Sequence, residues 1–217
     1  MITHHPGDEL LLAWTAGTLD SGRGVVVASH VDLCASCARR ARSLLAIGGE
    51  LLEATEPQAL AHDAFARTLQ RIDSAAGVPG APEGREPAAR GAEAGSWPRP
   101  LGGCVMRPWR WIGPGMLMRD VEVPHQAAGR VFLLKIAAGR SLPEHSHGAD
   151  EFTQVLAGSF EDGRSVFGPG DFDETGPSVV HRPVVAPGQE CICLAYLGAP
   201  LRFESRLTRT MARWVGI

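Results

Sequence analysis

The chain has no run of 18 apolar residues, so no stretch of it reads as a membrane-spanning helix. Its first residues, MITHHPGDELLLAW, lack a basic segment followed by a long apolar core and do not read as a secretory signal. An excess of positive charge is missing too. The formal net charge is −3 and the pI about 6.2, so nothing marks the whole chain as a nucleic-acid binder. Cysteine is scarce and odd in number, five in all, clustered as Cys34 with Cys37, Cys191 with Cys193, and Cys104 alone. A secreted disulfide scaffold carries an even, dispersed set. The expectation is a cytoplasmic protein with reduced thiols, and metal ligation is the first use to consider for them.

Apolar residues make up 44% of the 217, enough for a real core. Residues 1–75 read as helical. PGDELLLAWTAGTLD places Asp8 to cap a helix carrying Leu11, Leu12 and Leu19. GVVVASH is short and β-branched, a weaker helix former. CASCARRARSLLAIGGELLEA sets Leu44, Leu45, Leu51 and Leu52 apart from solvated Arg39, Arg40 and Arg42. PQALAHDAFARTLQRID predicts a further helix with Pro57 near its start and Leu60, Ala64 and Leu69 on its apolar side. Residues 76–100 are mostly Ala, Gly and Pro; with so little to bury they predict a flexible linker. Residues 101–217 change period. Short apolar runs such as RVFLLKIAA, FTQVLAGSF and ECICLAYL alternate with Gly, Pro and Asp turns, which predicts a β-sandwich or small barrel.

Two clusters carry chemistry. HVDLCASC spaces one imidazole and two thiols as H-x3-C-x2-C, from His30 through Cys34 to Cys37. A thioredoxin-like redox pair needs a preceding strand and a βαβ setting, and neither is visible. Structural zinc takes four Cys and His donors in a tetrahedron, and His4 or His5 at the N-terminus can supply the fourth. Spacing alone does not choose between them. The second cluster lies in GRSLPEHSHGADEFTQVLAG. His145 and His147, two apart on a strand, share a face, and a turn through Gly148 to Asp150 can return Glu151 beside them. His181 on a later strand offers a fourth ligand, a set that suits a divalent transition metal.

The pattern G-x5-H-x-H-x3-E-x6-G resembles the first cupin motif at every defined position, and implies a β-barrel with an internal metal over roughly residues 101–205. The second motif is partly kept. Gly170 and His181 match, while Gly176 and Ser178 stand where Pro and Gly are usual, and Val185 replaces Asn. H-x3-C-x2-C in a small helical domain with an upstream His resembles the zinc-binding anti-sigma factors, and the added cupin is similar to their ChrR-type members. That resemblance covers nearly the whole chain and implies His5, His30, Cys34 and Cys37 as zinc ligands, with His145, His147, Glu151 and His181 binding zinc or another divalent transition metal.

The fold class expected is therefore α + β in two domains: a small zinc-bearing helical bundle over 1–75, a linker over 76–100 and a cupin β-barrel over 101–217. The family's activity implies a non-enzyme that sequesters an extracytoplasmic-function sigma factor and releases it under oxidative stress such as singlet oxygen, with no direct contact to nucleic acid or membrane. The alternative is a metal-dependent cupin enzyme of dioxygenase type with a zinc-binding appendage, for which Glu144 and Glu161 are the free acid–base candidates. Cys191 and Cys193, two apart on a strand, face one side and are candidates for oxidation. A DNA-binding role would rest on CARRAR alone, which reads as a solvated helix face.

Overall fold

The computed structural model describes residues 1–75 and 97–203. Four helices come first: α1 (Asp8–Thr15), α2 (Ser21–Leu33), α3 (Ala35–Glu53) and α4 (Ala64–Ala75). A 3₁₀ turn over Arg99–Gly103 leads into strands β1 (Val105–Met106), β2 (Arg110–Gly113), β3 (Met116–Glu122), β4 (Arg130–Ile136), β5 (His145–Ser146), β6 (Glu151–Ala157), β7 (Phe160–Glu161), β8 (Val166–Phe167), β9 (Phe172–Thr175), β10 (Val180–His181), β11 (Val184–Val185), β12 (Cys191–Leu197) and β13 (Arg202–Phe203).

Helix α1 begins after Gly7 with no side-chain cap, so Asp8 is its first helical residue rather than the cap its sequence suggests. There it sits at the positive end of the helix dipole and pairs with Arg40 of α3. Helix α2 is capped by Asp20, which accepts from the Arg23 backbone N–H at 3.1 Å. Its valines form a helix despite their β-branching because Val25, Val26 and Val27 are all buried. Each such side chain stabilises the fold by about 1.5–3 kcal/mol, which outweighs a propensity deficit of a few tenths. Cys34 separates α2 from α3 with an extended backbone, φ −106° and ψ 103°. Helix α4 begins at Ala64, so Pro57 and Leu60 precede it rather than belonging to its first turns.

All strand pairs among the described residues are antiparallel. The large sheet runs β1-β3-β4-β12-β6-β9 with β2 paired to β3, and two small sheets run β10-β5-β13 and β11-β7-β8. The β-barrel expected from the motif is in this respect corrected: among the described residues the ladders form three sheets and do not close into one barrel. Side chains of all three nevertheless line a common apolar chamber, including Phe132, Phe160, Cys193 and Phe203. Gly158, a framing glycine of the first motif, has φ +70°, and a Cβ there would lie 2.2 Å from the Glu190 carbonyl oxygen.

The large sheet is buried on both faces. Val131, Leu133, Phe152, Phe172, Leu194 and Tyr196 point away from the chamber and form one core with Leu10, Leu11, Val25, Val26 and Val27 of the helices. Their neighbours Phe132, Leu134, Thr153, Asp173 and Cys193 point into the chamber. This two-sided burial is why β4 and β12 read as nearly continuous apolar runs. Asp32 near the end of α2 accepts from the backbone N–H and Nε of Arg99 at 2.9 and 2.6 Å, tying α2 to the 3₁₀ turn.

Compactness divides the chain differently from composition. Met1–Ala46 and the described residues from Trp97 on form one unit, and those from Ile47 to 75 belong to another. Of the expected linker, residues 76–96 lie outside the described residues, whereas Pro98 is buried and Trp97 packs against the core shared by helices and sheet. Residues 204–217 of the expected cupin region also lie outside them.

Candidate metal centres

The break at Cys34 lets His30, in the last turn of α2, face Cys37, in the first turn of α3. His30 and Cys37 are almost fully buried and Cys34 nearly so, while His5 is exposed. The His5 Nδ1 stands 3.4 Å from the His30 Nε2, 3.4 Å from the Cys34 Sγ and 3.4 Å from the Cys37 Sγ. The His30 Nε2 lies 3.3 Å from the Cys37 Sγ. The structure thus brings together all four residues His5, His30, Cys34 and Cys37 as a group able to hold a metal ion. Burial, then the neighbouring His5, pulls the His30 pKa down to about 4, so its imidazole is neutral and free to donate a lone pair. Burial, then the Cys34 thiol, pushes Cys37 up to about 12. A buried thiolate pair without a cation is unfavourable, and a metal would displace protons to form it.

His4 is not part of this group. Its ring packs on Phe167 at a centroid distance of 4.6 Å, and its Nε2 meets the Ser165 hydroxyl at 2.9 Å. The backbone N–H groups of Thr3 and His4 donate to Asp171 at 2.6 and 2.9 Å, and Phe172 donates back to the His4 carbonyl at 3.1 Å. The N-terminal segment is strapped to β9 by these bonds.

The second cluster forms at one side of the chamber. Strands β5 and β10 pair in a register that sets His181 opposite His145, with the two Nε2 atoms 3.1 Å apart. The Glu151 carboxylate pairs with the Nε2 of His147 and lies 3.8 Å from that of His181. His145, His147, Glu151 and His181 again place one ligand atom each within 4.8 Å of the others. The Nδ1 of the buried His147 makes no hydrogen bond among the described residues, while its Nε2 faces the Glu151 carboxylate. Burial works to raise the Glu151 carboxyl, but the His147 hydrogen bond and three imidazoles outweigh it and hold its pKa below the ordinary value. Burial lowers the pKa of His145.

Two partners of this cluster are not visible in the motif. Pro143 offers its carbonyl to the Nδ1 of His145 at 2.8 Å. Asp162 lies 3.1 Å from the Nδ1 of His181 and is held by Arg164, which also bonds Asp173 at 2.7 Å. Such contacts leave the two Nε2 atoms aimed at the cluster. The only local trace of Asp162 was a turn-like Glu-Asp-Gly-Arg, which has no metal-site meaning by itself.

Glu144 and Glu161 are both exposed and neither lines the chamber. Cys191 and Cys193 do share a face, with sulfurs 3.7 Å apart, and both are buried. Their mutual hydrogen bond, then burial, raises Cys193 well above an ordinary thiol, which opposes thiolate chemistry. Arg39, Arg40 and Arg42 are exposed, as expected of a solvated face. No described helix is long and apolar enough to cross a membrane.

A helical segment with a Cys2His2 cluster, packed on a cupin-like β fold with a His3Glu cluster, defines a protein of two candidate metal centres rather than a lone cupin. Residues 104–200 match the family described as ChrR Cupin-like domain. The anti-sigma-E factor ChrR of Cereibacter sphaeroides is 38% identical over 213 residues, which cover 96% of this chain and 95% of that protein. The crystal structure of Rhodobacter sphaeroides SigE in complex with the anti-sigma ChrR aligns with a TM-score of 0.71 at 34% identity, covering 91% of this chain and 99% of that one. The chain belongs to the ChrR anti-sigma factor family.

Proposed function

We propose that this chain is a cytoplasmic inhibitor of an extracytoplasmic-function sigma factor, released under oxidative stress such as singlet oxygen. The observation that carries this reading is apolar helix surface left exposed among the described residues. On α3, Leu45, Ile47, Leu51 and Leu52 are all more than half exposed. On α4, Phe65, Leu69 and Ile72 follow at helical spacing along one side and are likewise exposed. Apolar side chains concentrated this way mark a protein-binding surface, and the relative's complex with SigE says what kind of partner suits it. An occupied sigma surface is unavailable to polymerase, so inhibition needs no chemistry.

His5, His30, Cys34 and Cys37 fit zinc. A zinc tetrahedron with such donors has ligand–ligand separations of about 3.3–3.8 Å, and the His5 Nδ1 lies 3.4 Å from each of the other three ligands, with the His30 Nε2 3.3 Å from the Cys37 Sγ. Bound zinc would cross-link the N-terminal segment, α2 and α3 with a binding free energy on the order of 10 kcal/mol. His145, His147, Glu151 and His181 would hold zinc or another divalent transition metal in the cupin-like region, the sensing part.

Co-expression of the full chain with the extracytoplasmic-function sigma factors of its own organism tests the reading. One of them should co-purify in a one-to-one complex that does not bind core polymerase, and illumination with a photosensitiser should free it. A chain that captures none of them refutes inhibition. A complex that survives illumination refutes the oxidative release.

A further inference from the structure

The N-terminal cluster has a fifth participant, and it comes from the β region. Gln154 is fully buried on β6, on the face that looks toward the helices. Its Oε1 lies 3.1 Å from the Nδ1 of His30, a residue 124 positions away. The orientation of this amide follows from its other end. The Gln154 Nε2 donates to the Gly170 carbonyl at 3.0 Å and to the Val155 carbonyl at 3.3 Å. Turning the amide over would set an oxygen against two carbonyl oxygens, so Oε1 must face His30 as an acceptor.

An acceptor at Nδ1 fixes which ring nitrogen of His30 carries the proton. With Nδ1–H donating to Gln154, the lone pair sits on Nε2, the atom that faces the Cys37 sulfur and the His5 ring. His30 has no exposed surface through which water could do the same task. Phe172 of β9 backs the ring edge-on at 5.5 Å and limits its rotation. From these contacts we propose that Gln154 is a positioning residue for the N-terminal metal site, supplied by the cupin-like region, so that the site is complete only when helices and sheet are packed together. The inference rests on the metal reading of His5, His30, Cys34 and Cys37, and it adds a residue that the H-x3-C-x2-C pattern does not contain.

Outer partners of ligating histidines are worth about 10–100-fold in metal affinity. The test uses the full chain and cobalt(II), whose thiolate charge-transfer absorption reports the cysteine-bearing site and is silent for a His3Glu site. Gln154→Met keeps the side-chain volume and removes the side-chain acceptor, leaving His30 only the Gly170 carbonyl, so cobalt should bind that site about 10–100-fold more weakly while the cupin-like cluster keeps its metal. Gln154→Glu keeps the acceptor, and in the neutral acid that burial favours its O–H takes over the donation to the Gly170 carbonyl, so it should restore most of the affinity. A wild-type chain without thiolate–cobalt absorption refutes the metal reading itself. Wild-type affinity in Gln154→Met, or equal weakness in Gln154→Glu, refutes the role of Gln154. Should Gln154→Met fail to fold, nitrogen-15 imidazole spectra of the metal-loaded wild type decide: a slowly exchanging proton on the His30 Nδ1 is expected, and a proton on Nε2 or none at Nδ1 overturns the proposal.

Discussion

His4 and His5 are the same residue type, adjacent in sequence, and only their neighbours distinguish them. His4 is taken up by Phe167, Ser165 and Asp171, which leaves His5 to meet His30 and the two cysteines. No spacing rule contains that information, because it depends on β9 and the loop before it, more than 160 residues downstream. The other three members were legible, since a Cys2His helix–break–helix needs only local geometry. His4→Ala should therefore keep full metal stoichiometry while costing about 1 kcal/mol of stability from lost hydrogen bonds. His5→Ala should lose more affinity at the cysteine-bearing site than the roughly 10–100-fold typical of an outer partner. Metal analysis and chemical denaturation of both variants check this, and a reversed pattern would hand the ligand role to His4.

At the scale of elements, the sequence predicted the four helices and the run of short strands, but not where each apolar side goes. Val25 to Val27 looked weak as a helix because its stabilisation comes from Phe152, Leu194 and Tyr196 on the sheet, a tertiary term absent from local propensity. Conversely, the sequence does not apportion Leu51, Leu52 and Phe65 between a bundle core, the commoner fate of such residues, and a partner, and the structure leaves all three exposed, at 68%, 74% and 76%. Charges placed there should disturb the free protein little, within about 0.5 kcal/mol, as for ordinary surface substitutions. Leu51→Asp with Leu52→Asp, or Phe65→Asp, should instead reduce sigma-factor capture by at least about 10-fold, the effect of losing a modest interface anchor. Thermal unfolding and co-purification together separate the outcomes. Unchanged capture by both variants would remove these helix sides from the interface.

Across the whole first unit, the two candidate centres share strands rather than merely a chain. Strand β6 begins with Glu151, whose carboxylate belongs to the His3Glu cluster, and three residues later turns Gln154 the opposite way toward His30. Strand β9 repeats the arrangement, with Phe172 against His30 and Asp173 held to Arg164, the partner of Asp162 and His181. Both cluster motifs were legible from local spacing, but their connection was not, because alternation along a strand says that neighbours face apart without saying what waits on each side. A shift of β6 when the His3Glu cluster loses its metal would move the Gln154 acceptor relative to His30. Glu151→Ala should therefore weaken cobalt at the cysteine-bearing site by about 5-fold or more, the lower end of ordinary coupling between sites. Linkage makes the claim stricter: Cys34→Ser must weaken metal binding at the His3Glu cluster by the same factor that removal of that metal weakens the first. Competition titrations with a chromophoric chelator on the two variants measure both arms. Equal affinities in variant and wild type on either arm would mean that the strands hold the two centres side by side without passing anything between them.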